Sequence, residues 1–390
     1  MPKQVITLII FTGLLMSLGC VNKPNGASDK ALPEIAVHPE NFDTTIHGKK
    51  IKLYTLQNDN GMMVQVSNYG AIIVSIIMPD DKGNHYDFAM GYDNIHDYLH
   101  DPYHFGCIIG RYANRIGKGQ FVIDGKKYQL PLNAGKHSIH SGPDHFGTKV
   151  WDANKSGDTL SLHYRAGHME NGFPGNLDVS LKYVLTENNE LETIYTASTD
   201  KKTLVNLTNH TFLNMKGEGN GRILDHRVKI KADKFVEIDS TKISTGYLMP
   251  VAGTPFDFRE EIAVRKGLFE DHEQLKFNNG YGHCWVLSED KNEKPVYAAT
   301  VKSPGSGFMV SFYTTEPGMQ FYTGNHFDGD VKGKSGKVYV QFGGLTLEPE
   351  IFPDAPNHDN FPSAILNPNE TYFHKTVMAF EHRESLRSHQ

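Results

Sequence analysis

The sequence predicts an all-β protein, a large antiparallel β-sandwich with a few short helices, on three observations. Apolar and polar residues alternate with period two in segment after segment, as in Leu177, Val179, Leu181, Tyr183 and Leu185. Gly-, Asn- and Asp-rich turns separate these segments at short intervals. No long 3.6-residue apolar period occurs, and residues 92–99 and 260–268 are at most short helices.

The strands follow in order. Residues 51–56 and 62–67 alternate around Asn58-Asp-Asn-Gly61, a hairpin whose turn needs the glycine. Residues 71–78 are a continuous apolar run closed by Pro79-Asp-Asp-Lys-Gly83, the length of a strand covered on both faces, which implies stacked sheets. Asp124-Gly125 joins Gln120–Ile123 to residues 127–130. Residues 187–190 turn the Leu177–Leu185 strand into 191–197, and 228–232, Val296–Lys302, Phe308–Thr314 and 319–323 continue the rhythm. No shift in composition marks an interior boundary, so residues 41–385 read as a single domain.

Composition narrows the function. The 390 residues are 38% hydrophobic and 22% charged, an ordinary globular balance. A net charge of −6 leaves no nucleic-acid footprint. Twenty histidines are many, yet none stands in a tight metal-ligand spacing, so no metal site is expected. Residues 1–20 read as a targeting segment: Lys3, an apolar run over 5–18 too short to span a bilayer, and Ser17-Leu-Gly-Cys20. That ending resembles a bacterial lipobox with Ser17 where Leu is usual, and implies lipidation at Cys20. The expected address is the bacterial cell envelope, lipid-anchored or periplasmic, with the anchor as the only membrane contact and residues 21–40 as a flexible tether. Cys107 and Cys284 read as free thiols, since a domain of this size needs no staple.

Six stretches carry residues suited to chemistry. Gly110-Arg-Tyr-Ala-Asn114-Arg115-Ile-Gly117 offers a fork of donors, although surface ion pairing is the blander reading. His137-Ser-Ile-His140-Ser-Gly142 sets two histidines beside glycine. Asn206-Leu-Thr-Asn209-His210-Thr-Phe-Leu-Asn214 brings a histidine out of a strand among three asparagines that are candidates to hold the imidazole. Gly253-Thr-Pro-Phe-Asp257-Phe258 sets a carboxylate between aromatics, where a plain turn is the alternative. Pro317-Gly-Met-Gln320-Phe-Tyr322-Thr-Gly-Asn325 puts Gln320 and Tyr322 on one strand face and Phe321 on the other. Glu348, at the end of an apolar strand before Pro349 and among Leu345, Leu347 and Ile351, has the apolar surroundings that raise a carboxyl's proton affinity, although a solvated strand-end cap is the blander reading.

In this order and spacing the stretches resemble the aldose 1-epimerase (galactose mutarotase) family, and the resemblance covers residues 42 to 383. It implies a mutarotase-type super-sandwich that interconverts the α and β anomers of free aldoses such as glucose and galactose. Carried over position by position, it implies Glu348 as general base on the anomeric hydroxyl and His210 as general acid on the ring oxygen. It implies sugar binding by Asn114, Arg115, His140, Asp257 and Gln320, with Arg115 and His140 also stabilising charge near the ring oxygen. The chain departs from the family at Gly280-Tyr-Gly282-His-Cys284, where Gly-Tyr/Phe-Asp-His-Asn is usual. No cofactor is required. Ca2+ accompanies some bacterial members, but no EF-hand spacing is present and any such ion would be accessory. The expected partner is a small sugar, bound by a monomer. The alternatives are a non-catalytic carbohydrate-binding sandwich, against which the retained His210 and Glu348 speak, or an epimerase acting on another sugar.

Overall fold

The computed structural model describes Met1 and residues 32–384. The targeting segment, Cys20 and most of the expected tether lie outside the described residues. The chain from Ile35 onward clusters as one compact unit.

Three antiparallel sheets of four or more strands build it, with five two-stranded ladders beside them among the described residues. A four-stranded meander runs Leu53–Gln57, Met63–Ser67, Ile73–Pro79 and His85–Asp87. Every residue of Ile73–Pro79 except Pro79 is buried, the double coverage expected of an unbroken apolar run. A nine-stranded sheet begins with four neighbours in sequence, Asp152–Ser156, Thr159–Ala166, Leu177–Leu185 and Glu190–Thr199. It then takes in Tyr372–His382 from the end of the chain, which pairs on its other side with Phe308–Thr314. Leu177, Val179, Leu181 and Tyr183 face inward and share one core with Val64, Ile73 and Ile76 of the meander. Phe235, Trp285 and Phe321 of the third sheet join the same core.

That third sheet positions the site. Its order is Ser244–Pro250, Lys234–Ile238, Gly282–Val286, Gly318–Tyr322 and Thr346–Glu350. Thr346–Glu350 is the last strand of the ladder, which is where Pro349 is tolerated, because a proline cannot donate to a neighbour. Glu348 therefore lies inside a strand rather than at the strand end expected from sequence. The predicted short helices shrink to Ile95–Tyr98 and Arg265–Leu268, and a third, Glu273–Asn278, has no forewarning in the apolar pattern.

Candidate active site

The register of the five-stranded sheet places Glu348 opposite Gln320, and Gln320 opposite Cys284. Side chains two apart share a face, so Gln320 and Tyr322 look out together while Phe321 is buried in the core. Glu348 and Glu350 share a face of the neighbouring strand in the same way.

His210 comes from the other side of the site. Thr208–Asn209 pairs with Ile108–Ile109, and the pairing carries on one step as the His210 N–H donates to the Cys107 carbonyl at 2.9 Å. The imidazole is buried edge-on to His140 and Phe212, with ring centroids 5.3 and 5.1 Å away. Its Nε2 stands 3.7 Å from Glu348 Oε2, and its Nδ1 has no partner among the described residues. The three asparagines do not hold the ring. Asn206 bonds to Ala113 and Ile351, Asn209 to Gly106 and Tyr183, and Asn214 to Gly221 and Gly343. They lock the backbone that presents His210.

The glycine-arginine stretch divides its two guanidinium groups. Arg111 is buried and donates to the carbonyls of Gly167, Pro174 and Gly175, which makes it a strut. Arg115 faces the cavity and has no carboxylate within ion-pair distance among the described residues. Asn114 adopts φ +62°, a left-handed conformation that asparagine accepts readily. Its amide donates to Glu350 Oε1 at 2.9 Å and accepts from the Arg115 N–H at 2.9 Å, so both its ends are engaged. His140 Nδ1 accepts from the Asn114 N–H at 3.2 Å, while His137 serves the turn at Lys118 and stays outside the cavity.

Asn114, Arg115, His140, His210, Gln320 and Glu348 thus converge on one cavity of about 250 Å3. Asp257 does not join them. It lines a separate cavity of about 520 Å3 and is clamped by Arg259, with Nε–Oδ1 at 2.9 Å and Nη2–Oδ2 at 2.7 Å. The carboxylate that sequence offered for sugar binding is tied to a residue two positions on. Sequence reasoning also missed lining residues, chiefly His104, Asn278 and His326. Of the two departures from the family pattern, Gly282 is on the cavity wall and Cys284 is buried, its thiol free like that of Cys107.

Burial sets the charges. It pushes the Glu348 carboxyl well above the usual range, with the nearby Glu350 adding to the rise. It pushes Glu350 up to about 8, opposed by the Asn114 hydrogen bond and the Arg115 charge. It lowers His210 to about 3 and His140 well below its ordinary value. Burial thus favours the uncharged form of each partner, a carboxylic acid at Glu348 beside a neutral imidazole at His210. His104, Cys107 and His145 bring one donor atom each within 4.8 Å of one another. His145 Nδ1, however, already accepts from the Gly147 N–H at 3.0 Å, and nitrogen and sulfur donors do not suit Ca2+.

Fold and cavity together define an antiparallel sandwich in which a buried carboxyl and imidazole face one another in a site sized for a small polar ligand. The family pattern for aldose 1-epimerase matches residues 52–379, and the chain belongs to that family. It is 38% identical over 330 residues to galactose mutarotase of Sus scrofa, covering 85% of this chain and 94% of that one. The human galactose mutarotase is 37% identical over 333 residues, with 85% and 95% covered. Among solved structures, the aldose epimerase homologue from C. elegans superposes with a TM-score of 0.78 at 30% identity, covering 85% of this chain and 98% of that one. The protein is an isomerase that interconverts the α and β anomers of aldoses. These relatives overturn one expectation. The matches run to galactose mutarotases of animals, with aldose 1-epimerase of Escherichia coli at 34% identity beside them, and none of these is named as an envelope protein, so the envelope address read from the first twenty residues is withdrawn.

Proposed function

We propose that Glu348 and His210 carry the proton transfers of this anomer interconversion, with Arg115, His140 and Gln320 binding the sugar. The observation behind this reading is the 3.7 Å approach of His210 Nε2 to Glu348 Oε2 at the wall of the cavity. Two groups that close address the two oxygens on one hemiacetal carbon. Glu348 takes the proton from O1, the C1–O1 bond becomes a carbonyl, and the C1–O5 electron pair passes to O5, which takes the proton from His210. Rotation about C1–C2 turns the other aldehyde face to O5, and the same steps in reverse close the ring.

Opening converts a carboxylate and an imidazolium into a carboxylic acid and a neutral imidazole. That uncharged pair is the form burial favours, so the ionic form that opens the ring is the costlier one, reached by passing the Glu348 proton to His210. The ionic form needed for the next ring differs from it only in the position of one proton. Arg115, with no carboxylate partner among the described residues, supplies positive charge where the carboxylate and the ring oxygen carry negative charge. Asn114 acts chiefly by fixing Glu350 and the Arg115 backbone, both ends of its amide being engaged. Free galactose is the substrate best matched to this reading, since the galactose mutarotase relatives carry that sugar in their name, and free glucose, which differs from it only at C4, is the natural second.

Glu348→Gln tests the assignment. Mutarotation of α-glucose followed by polarimetry should fall by about 10²–10⁴-fold, the usual share of a general acid or base, while galactose binding stays measurable by calorimetry. An unchanged rate would remove Glu348 from the chemistry.

A further inference from the structure

We propose that Asn278 is a substrate-binding residue, reaching from the helix Glu273–Asn278 to place a hydrogen-bond acceptor at the end of the sugar remote from C1. The inference rests on the reading above for the orientation of the sugar.

Gly282 opens the strand Gly282–Val286 on the cavity wall and presents no side chain there. The space is not empty. A Cβ on residue 282 would lie 1.6 Å from Asn278 Nδ2, so the asparagine amide stands where any other residue would put its first carbon. Asn278 is buried, lines the same cavity, and donates from Nδ2 to the Gly282 carbonyl at 3.1 Å. A carbonyl only accepts, so this bond fixes which way the amide points: NH2 toward the strand, oxygen away from it. The Asn278 backbone carbonyl accepts from Asn325 Nδ2 at 2.9 Å, which anchors the residue at its base. Its side-chain oxygen has no partner among the described residues, and that is an open acceptor on a nearly buried, pinned amide.

The register gives its distance from the chemistry. Gly282 is opposite Tyr322, and Tyr322 is opposite Thr346. Asn278 therefore caps the row beside Glu348–Gln320–Cys284, two strands away from the catalytic strand. At about 4.8 Å per strand this is roughly 10 Å across the sheet. A pyranose held by O1 and O5 at His210–Glu348 extends its C4 and C6 hydroxyls that way. Each is a donor without a partner until it meets an acceptor. Glucose and galactose differ at C4, so an acceptor here bears on which aldose is preferred.

The test is a cross between protein and sugar variants. Wild type should show a KM for 4-deoxy- or 6-deoxy-glucose about tenfold above that for glucose, and Asn278→Ala should raise the glucose KM by about the same factor with kcat within twofold. Combined, the two losses should not multiply, because both delete the same bond. A merely structural role for Asn278 would lower activity on every sugar alike and leave the parent-to-deoxy ratio intact. Gly282→Asp supplies an independent arm. Alone it should abolish sugar binding, since its Cβ collides with the amide, and Asn278→Ala in the same chain should restore it. A glucose KM unchanged in Asn278→Ala, or losses that multiply for both deoxy sugars, overturns the proposal. Should wild type fail to speed mutarotation, the functional reading fails instead. Calorimetric binding of glucose then decides on Asn278 alone, with a tenfold loss in the alanine variant supporting contact and an unchanged affinity overturning it.

Discussion

The cavity at Asp257 is twice the size of the one at His210 and Glu348, about 520 against 250 Å3, yet the smaller is the one equipped for chemistry. In the larger, the Asp257 carboxylate is already held by Arg259, which also pairs with Asp233 at 3.2 Å. In the smaller, His210 Nδ1 and Gln320 Oε1 have no partner among the described residues, and Arg115 has no carboxylate. A buried polar group left unpaired costs about 1–3 kcal/mol. Several of them around one cavity are sustained where a ligand completes the bonds. Unsatisfied hydrogen-bonding capacity, and not volume, separates the site from the bystander.

Arg115→Ala should sharpen that contrast most. Removing the unpaired guanidinium should cut kcat/KM for glucose by about a hundredfold, the scale of losing one charge-stabilising donor. Asp257→Asn, in the satisfied cavity, should leave kcat/KM within about twofold; a hundredfold loss there would put Asp257 back in the binding machinery. The two arginines of the same stretch make a second contrast. Arg111→Met should cost about 3 kcal/mol in denaturant unfolding, because the buried carbonyls of Pro174 and Gly175 lose their donor, with kcat of the folded fraction little changed. Arg115→Ala should show the opposite split, kinetics lost and stability kept.

Glu350→Gln should produce the smallest effect and the most diagnostic one. On the proposed assignment the His210–Glu348 pair works while it holds one proton, and it loses that proton on the alkaline side. Burial first, and the Glu350 charge second, raise the proton affinity of Glu348 and hold that limb at high pH. A neutral amide at 350 removes the like charge, so Glu348 releases its proton more easily and the alkaline limb of the kcat profile moves to lower pH. A shift to higher pH would mean that Glu350 acts through Asn114 and Arg115 instead.

Much of this was legible in the chain. Period-two alternation located Leu177–Leu185 and its neighbours because each strand's inner face is encoded locally. The insertion of Tyr372–His382 between Glu190–Thr199 and Phe308–Thr314 was not, since pairing across such separations is settled by packing and not by any one segment. His210, Arg115, Gln320 and Glu348 stood out through their motifs. Asp257 lies outside the cavity, and Arg259 two positions on in the same loop already offered it a partner. The same spacing would have revealed Glu350 beside Glu348, had Pro349 not been taken to end the strand. Asn278 left no local signal, because its meaning comes from a glycine four residues later that makes room for it.

The central claim is that His210 and Glu348 share one proton and act as a unit. Anomerisation rates of α-glucose for His210→Asn, Glu348→Gln and the double variant, measured side by side by polarimetry, test it most directly. The account predicts that each single change costs about 10²–10⁴-fold and that the double costs no more than the worse single. Losses that multiply in the double variant, or a single variant within threefold of wild type, would contradict it.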